Sequence, residues 1–403
     1  MFLERAVPKE AREAYRRESI GALFGGVYTG AIFPFIGFIA RDSLHASAAL
    51  IGLMVAAPFM GNVFALFYAN AVEGKPKMPY VVWSQVVARA LFLLILFAKT
   101  PLVFAVIVTA VQVIASAAGP AYAAILKEIY PDDYRGRIMA YIRVGLAFVT
   151  LVSTLLVGRL LKYVDFNYIF PVAGIFGVVA ALVFGTIRTA PVDPQDSNRK
   201  DSTLKFLLNT LAIFKEDRNY TWFALSVFAY GFGNLVAVPL YPIFQVDRLH
   251  ISAIQVAMLS NVATAVWMLS YLYWGKYIDT QNPLKAVMVN ALLASLVPLN
   301  YFLARNVWML LPSAVIGGIT LGGVELSYFN SILYLAKAGR ESHYQALHSF
   351  FLGIRGTIAP LCGAAIILLF KSEGIDVRYV FLIAMTLMLF GAVLQLIGVR
   401  QRY

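Results

Sequence analysis

Twelve long apolar segments occupy most of this 403-residue chain, and short polar segments separate them. A membrane-spanning helix needs roughly 20 consecutive apolar residues to cross the hydrocarbon core. The composition agrees, because 60% of the residues are hydrophobic and 13% are charged. The sequence therefore predicts an all-α polytopic membrane protein. The twelve predicted transmembrane helices are 19–40, 48–71, 79–98, 101–125, 138–162, 167–187, 221–245, 252–273, 284–304, 308–335, 343–370 and 378–398.

A seven-residue motif occurs twice, and its copies lie 205 positions apart. Asp42–Ala48 returns as Asp247–Ala253 with five of the seven residues kept, and the same spacing relates Pro34 to Pro239. A spacing that recurs along a chain indicates two copies of one unit. Each copy holds six of the predicted helices, so we expect two pseudo-symmetric six-helix bundles.

The predicted bundles are residues 1–187, which begin with a cytoplasmic basic arm, and residues 221–403. The polar segment 188–220 links them as a cytoplasmic linker. Its second part carries apolar residues at helical spacing between lysines, a pattern typical of an amphipathic helix at a membrane surface. A proline removes a helical hydrogen bond, so we also expect bends at Gly119-Pro120 and at the two repeated prolines.

The repeated motif lies in the loop between the first and second helices of each bundle. Ser47 and Ser252 precede apolar helices, where a hydroxyl group caps free backbone N–H groups. The motif therefore predicts helix initiation. The alternative makes His45 and His250 a symmetric pair of outer ligands or pH sensors.

Lysine and arginine are unevenly distributed over the connecting segments. With a cytoplasmic N-terminus, 22 of the 33 Lys and Arg residues lie in cytoplasmic segments, eight in outer ones and three within helices. This asymmetry follows the positive-inside rule, so we expect both termini in the cytoplasm and the protein in a bacterial cytoplasmic (inner) membrane. The formal charge of +12 then reflects topology and attraction to anionic lipid, and we expect no nucleic-acid partner.

Charged side chains inside the predicted helices are candidate functional residues, because a charge in the bilayer is costly. Glu325, near the centre of the tenth helix, is the only carboxylate that the sequence places deep in a span. Arg355 is central in the eleventh helix and Arg89 in the third, whereas Arg143 and His348 lie nearer helix ends. Three roles stay open for Glu325 and Arg355: the pair binds substrate, Glu325 binds a proton in alternation with Arg355, or the two form a structural ion pair. Three arginines against one carboxylate favour an anionic or zwitterionic substrate.

Uncharged polar and aromatic residues on the predicted helices are further candidates for substrate contacts. Such residues also form hydrogen bonds between helices, so both roles stay open. These candidates are Tyr28, Gln112, Tyr230, Asn234, Asn330 and Trp267.

Two local motifs add a family resemblance to the six-plus-six repeat. Gly275-Lys276-Tyr277-Ile278-Asp279 matches the first five positions of the loop G-x-x-x-D-R-x-G-R-R, although Thr280 replaces the arginine. Tyr134-Arg135-Gly136-Arg137 precedes the fifth helix. With these motifs the chain resembles the major facilitator superfamily of secondary transporters.

The resemblance implies a cytoplasmic gate and a central cavity. In the family, the loop acid caps a helix and pairs with cationic residues. The resemblance therefore implies a latch in which Asp279, in the motif that begins with Gly275, pairs with Arg340. A second, pseudo-symmetric latch would join Glu73 to Arg135 or Arg137. The family places helices 1, 4, 7 and 10 around the cavity and helix 11 beside it, which supports Glu325 and Arg355 as neighbouring cavity residues.

The resemblance implies a secondary active transporter that moves a small organic solute by alternating access, with proton coupling through Glu325 and His348. A multidrug or lipid exporter of the same fold is an alternative, and a membrane-embedded lipid-modifying enzyme or a non-transporting receptor is an alternative of another class. We expect no enzyme activity, metal or cofactor, because the four histidines lack metal-ligand spacing and no G-x-x-x-x-G-K-[ST] loop occurs. The expected partners are the solute and the lipid bilayer, and we expect a monomer.

Overall fold

The structure is a computed structural model that describes residues 4–63, 75–189, 212–337 and 340–398. Within these ranges every regular element is helical. Helices suit apolar runs because they satisfy backbone donors and acceptors within one segment. The first eight are α1 (Arg12–Ile32), α2 (Ile36–Asp42), α3 (Ala48–Val63), α4 (Lys77–Ala90), α5 (Pro101–Ser116), α6 (Ala118–Ile129), α7 (Asp132–Leu160) and α8 (Phe166–Gly185). The remaining ones are α9 (Arg218–Ala237), α10 (Leu240–Asp247), α11 (Ala253–Thr280), α12 (Pro283–Leu303), α13 (Leu311–Leu335), α14 (Glu341–Ser372) and α15 (Tyr379–Gly398).

Each predicted transmembrane helix overlaps a helix of the structure. Among the described residues, ten helices are long and apolar enough to cross a membrane, and a bent pair, Pro101–Ser116 with Ala121–Ile129, forms one more. Ala48–Val63 is a shorter apolar helix at the second predicted span, whose end lies outside the described ranges. The predicted all-α fold class is confirmed.

The first helix begins earlier than predicted. α1 starts at Arg12 instead of residue 19, and its apolar stretch with α2 runs over Lys9–Asp42. Two short 3-10 turns precede it, and Val7 and Ala11 are buried there. The predicted basic arm is therefore folded and packed from Glu4 onward, and Glu18 lies within α1.

Helix breaks occur at the predicted prolines. A 3-10 turn at Phe33–Phe35, which contains Pro34, separates α1 from α2. Pro239 separates α9 from α10 in the second half. The helix pair α5 and α6 bends by 44° next to Gly119-Pro120. The expected bends are confirmed at all three places.

The repeated motif adopts the same conformation in both copies. His45 and His250 have φ values of 53° and 48°, and they are the non-glycine residues with positive φ in the described ranges. In each copy, the N–H groups of the two residues that precede the histidine donate to the same carbonyl oxygen. This oxygen is Ile39 O in the first copy and Phe244 O in the second. Ser252 then caps α11 in a reciprocal arrangement with Gln255. The predicted helix initiation is confirmed, and the histidine is the left-handed residue of the turn.

The described chain forms two compact units. One unit is Met1–Ala46 with Met60–Lys200, and the other is Ser47–Phe59 with Asp201–Tyr403. The start of α3 therefore packs with the second unit, where a Cβ atom on Gly52 would lie 3.0 Å from Pro360 O. The bundle bounds drawn from the sequence stay a prediction.

In the first unit, α1 packs closely against α7 through glycines and hydroxyl groups. A Cβ atom on Gly26 would lie 2.7 Å from the carbonyl oxygen of Leu146. Thr29 and Thr150 hydroxyls lie 3.0 Å apart, and Thr154 donates to the backbone at 3.0 Å. Small residues let helix backbones approach each other, and hydroxyl groups then bond across the interface. This contact holds α1 in place beside the cavity described below.

We expect Gly26→Ala to destabilise the first unit by about 1–3 kcal/mol, because the added methyl group forces α1 away from α7. The measurement is the midpoint of thermal unfolding in detergent. Gly25→Ala is the matched control, since a Cβ atom on Gly25 meets nothing within 4 Å. Equal effects of the two substitutions would contradict the packing argument.

The turn conformation gives a second expectation. His250→Gly should keep or raise the unfolding midpoint, because glycine adopts positive φ freely. His250→Val should lower it, since the left-handed conformation costs an L-residue about 1–2 kcal/mol and a branched side chain more. A loss of function in His250→Gly at unchanged stability would instead favour the ligand or pH-sensor alternative.

Candidate functional site

A cavity of about 500 Å3 lies within the first unit. Most of its lining is apolar or small, and several polar or charged side chains interrupt it. Apolar pockets with a few convergent polar groups are typical of small-molecule sites. The polar lining residues are Glu18 of α1, Gln85 and Arg89 of α4, Ser116 of α5, Tyr122 of α6, Arg143 of α7, and Asn62.

Glu18 is a buried carboxylate at the edge of this cavity, with 7% of its surface exposed. Its Oε1 accepts a hydrogen bond from the Tyr122 hydroxyl at 2.9 Å, and its Oε2 accepts one from the Tyr130 hydroxyl at 2.5 Å. Glu18 is thus a second carboxylate within a candidate membrane span, and the sequence prediction did not include it because the first helix was expected to begin at residue 19. The buried positions Ala11, Tyr15 and Glu18 share one helical face, and that spacing is the signal that the sequence contained.

Arg89 extends from α4 toward α1 and α8. Its guanidinium donates to Gly177 O at 2.6 Å and lies 5.1 Å from the centre of the Tyr28 ring. A cation over an aromatic face is attracted by the ring quadrupole. A Cβ atom on Gly177 would lie 2.9 Å from Cδ of Arg89, so this glycine makes room for the side chain. Arg89 and Tyr28, two predicted site residues, are thus in contact.

Two further predicted residues lie on helices that border the cavity. Arg143 of α7 is exposed within the unit and belongs to the lining. Gln112 of α5 is half-buried, one turn before the lining residues Ala115 and Ser116. Gln85 was not predicted, and its side chain donates to Ala115 O at 3.0 Å.

In the second unit, Arg355 of α14 is directed at α9. It is buried, and its guanidinium donates to the carbonyl oxygen of Val227. A Cβ atom on Gly231 would collide with the guanidinium, so this glycine is required for the contact. The rings of Tyr230 and Tyr328 lie close enough to interact with the charge. The structure thus brings Arg355 together with the predicted residue Tyr230.

His348 and Glu325 take different positions in this unit. His348 packs edge-on against Tyr328, with ring centres 5.4 Å apart, near Arg355. Glu325 lies on the exposed face of α13 with Leu321 and Phe329. The predicted pairing of Glu325 with Arg355 stays a prediction.

Some of the remaining predicted site residues contact other atoms of the protein. The Asn330 amide donates to Leu326 O of its own helix at 2.8 Å. Asn234 is half-buried on α9. Trp267 lies 5.7 Å from the Tyr271 ring, and in the described ranges its Nε1 has no hydrogen-bond acceptor.

The predicted gate residues are only partly described. Arg340 at the start of α14 donates to Glu216 at 2.5 Å. Arg135 donates to the carbonyl oxygens of Leu126, Lys127 and Tyr130 at the end of α6. The Arg137 guanidinium lies 5.7 Å from the Tyr134 ring.

The structure describes only part of the other predicted latch residues. Gly275 is part of α11, and no atom lies within 4 Å of a Cβ built on it. Glu73 and the side chain of Asp279 lie outside the described part of the chain. Both latches therefore stay predictions.

Comparisons with known proteins concern the whole architecture. A family model described as Major Facilitator Superfamily matches residues 19–354. A bacterial homolog of the human lysosomal transporter Spinster, in an inward-facing and unoccupied conformation, has a TM-score of 0.69 at 15% identity, over 98% of both chains. The nucleoside transporter NupG has a TM-score of 0.69 at 14% identity, over 97% of this chain and 99% of that one. No curated protein sequence matches significantly. At these identities the structural similarity concerns the fold.

The Arg340–Glu216 pair predicts a pH-dependent contribution to stability. The hydrogen bond from Arg340 lowers the pKa of the Glu216 carboxyl below its ordinary value of 4.5. A lowered carboxyl pKa stabilises the folded state at neutral pH, and this contribution is lost as the pH falls through the lowered value.

A double-mutant cycle with Glu216→Gln and Arg340→Gln measures this contribution from thermal midpoints at several pH values. We expect a small coupling at neutral pH, as for other exposed pairs, and none in strong acid. Glu373→Gln is the control for removing an exposed carboxylate of the same unit. A coupling that persists in strong acid would contradict the ion-pair interpretation.

Proposed function

Because the chain belongs to the major facilitator superfamily, we propose that it is a secondary active transporter that moves a small organic solute by alternating access. The observation that carries this proposal is the cavity of about 500 Å3 inside the first unit, which exposes charged groups to its interior. Its size falls in the range of small-molecule sites. The similarity to transporters of known fold supports the same class of function.

The charge of the cavity favours an anionic or zwitterionic solute. Arg89 and Arg143 contribute two cations to the lining, and Glu18 contributes one carboxylate. A guanidinium group recognises a carboxylate or phosphate by paired hydrogen bonds. A zwitterion would place its anionic group near the arginines and its cationic group near Glu18.

The second unit has polar groups of its own that we propose as substrate-binding residues. Arg355 and Tyr230 lie on adjacent helices, and Nε of Arg355 has no hydrogen-bond partner among the described residues. Buried polar atoms without partners are expected where a ligand or water binds. We propose substrate contacts for Glu325, Asn234, Asn330 and Trp267 in this unit, and for Gln112 and Tyr28 in the first unit.

The distribution of Lys and Arg supports the proposed orientation, with both termini in the cytoplasm. We also propose a bacterial inner membrane and a monomer. The proposed bundles are 1–187 and 221–403, and the linker 188–220 joins them. Proton coupling through Glu325 and His348, and a gate formed by the predicted latch residues, belong to the same proposal. A multidrug or lipid exporter is the alternative within the fold, and an enzyme or a receptor is the alternative outside it.

Counterflow in proteoliposomes tests transport, after a thermal-shift screen of purified protein against metabolites and drugs selects a compound. We expect an anionic or zwitterionic hit whose affinity falls tenfold or more in Arg143→Ala, since an unpaired charge in a site costs about 2–5 kcal/mol. Arg159→Ala on the same helix is the control, because Arg159 is exposed and outside the cavity lining.

Two outcomes would contradict the proposal. Binding without any counterflow would favour the receptor or enzyme alternative. Transport of a cation that is unaffected by Arg143→Ala, Arg355→Ala and Glu325→Gln would overturn the proposed substrate charge.

A further inference from the structure

α1 contains four glycines, and close helix packing accounts for three of them. A Cβ atom on Gly21 would lie 3.2 Å from the carbonyl oxygen of Ala180 on α8. A Cβ atom on Gly26 or Gly30 would collide with atoms of α7. A Cβ atom on Gly25 meets nothing within 4 Å, although Gly25 is buried. No neighbouring part of the described chain therefore requires glycine at position 25.

The open space beside Gly25 belongs to the cavity of the first unit. Gly25 lines this cavity together with Glu18, Gly21 and Ala22 of the same helix. These positions follow the i, i+3, i+4, i+7 spacing of one helical face. The absence of a side chain at Gly25 therefore leaves volume to whatever occupies the cavity.

Glycine at position 25 has a cost that the packing of the protein does not offset. Glycine is less favourable than alanine inside a helix, because its backbone loses more conformational freedom on folding. Alanine would fit at this position without a collision. Glycine is also the residue that lets a ligand approach the main chain closely. Close approach of a solute to α1 accounts for glycine at this position.

A second glycine borders the cavity from α6. Gly119 belongs to the lining, and a Cβ atom on it also meets nothing within 4 Å. Tyr122, one turn further along α6, donates to Glu18 of α1 at 2.9 Å. The helices that carry the two glycines are thus joined by a hydrogen bond at the edge of the cavity. Each of them presents main chain without a side chain to its interior.

Gly25 lies between the charged groups of the cavity along α1. Glu18 is seven residues before it, which is about 10 Å along a helix. Tyr28 is one turn after it, and the centre of the Tyr28 ring lies 5.1 Å from the Arg89 guanidinium. The Nε atom of Arg89 is buried and has no hydrogen-bond partner among the described residues. A solute that reached from this guanidinium toward Glu18 would pass Gly25.

We propose that Gly25 and Gly119 are specificity-determining residues, because they set the width that the cavity leaves for the uncharged part of the solute. The inference rests on the proposed transport function and deepens it. The solute is then an organic anion or zwitterion whose anionic group lies near the cavity arginines. Its uncharged part lies against the main chain of α1 and α6. A larger side chain at either glycine narrows the cavity without disturbing the packing between helices.

Thiol labelling of the purified full-length protein tests the position of the two glycines without a transported solute. Gly25→Cys and Gly119→Cys are made in a Cys362→Ala background, which removes the single native thiol. The probe is the anionic reagent 2-sulfonatoethyl methanethiosulfonate. We expect both cysteines to react about tenfold faster than Leu23→Cys, because Leu23 is an exposed apolar residue of the same span, where lipid or detergent excludes a charged reagent. A Gly25→Cys rate no faster than that of Leu23→Cys would overturn the proposal.

A second, bulky reagent, a fluorescein methanethiosulfonate, tests the width of the cavity. Its rate at Gly119→Cys is compared with that of the small sulfonate after Gly25→Leu is added. We expect Gly25→Leu to slow the bulky reagent about tenfold and the small one much less, since added side-chain volume excludes the wider group first. Gly136→Leu is the control, because Gly136 is exposed, lies outside the cavity lining and also has nothing within 4 Å of a Cβ atom. Equal slowing of both reagents, or of both variants, would overturn the role of Gly25 in setting the width.

Gly25→Ala distinguishes this role from a structural one and does not depend on leucine being tolerated. Its methyl group has open space, and alanine favours the helix. The midpoint of thermal unfolding should therefore stay the same or rise, while the bulky reagent is slowed. A lower midpoint together with slower labelling would make Gly25 a packing residue and would overturn the proposal.

Labelling and counterflow separate this inference from the proposed function. If labelling follows the expected pattern but no compound from the screen shows counterflow, the width set by the glycines stands and the transport function fails. If a compound shows counterflow, Gly25→Leu should weaken its binding about tenfold, and Gly136→Leu should not. Unchanged binding of that compound in Gly25→Leu would overturn the specificity role and leave the transport function in place.

Discussion

The need to satisfy charged groups inside an apolar bundle organises the sites of both units. A buried charge without partners costs several kcal/mol, so each one is held by groups from other helices. Glu18 is held by two phenols, and Arg89 by a carbonyl oxygen and an aromatic ring. Arg355 is held by the carbonyl oxygen of Val227. These contacts, together with the glycines that make room for them, determine where the buried charged groups lie in each unit.

The helices were predictable from the sequence, and most of the site contacts were not. Hydropathy is a local property, so each apolar run predicted its helix, and the bends were predicted at Pro34, Pro120 and Pro239. Glu18 was missed because its burial depends on Tyr122 and Tyr130, more than 100 residues away. For Arg340, the family resemblance implied Asp279 as partner, whereas the structure adds a contact to Glu216 that no motif indicated.

The repeat explains the scaffold better than the sites. His45 and His250 occupy equivalent left-handed positions, because the same turn must join the first two helices of each copy. Arg89 and Arg355 are not related by the spacing of 205, yet both guanidiniums lie against a glycine and a backbone carbonyl. Two copies of one scaffold thus reached a similar arrangement from different helices, which an alignment of the copies would not reveal.

The bend between α5 and α6 has a consequence for the cavity. Pro120 has no N–H group, so it cannot donate to the carbonyl oxygen of Ser116, four residues earlier, as a regular helix would require. Ser116 and Gly119 line the cavity, so the missing main-chain hydrogen bond belongs to the cavity wall. A residue with an N–H group at position 120 would restore the donor and remove the reason for the bend there.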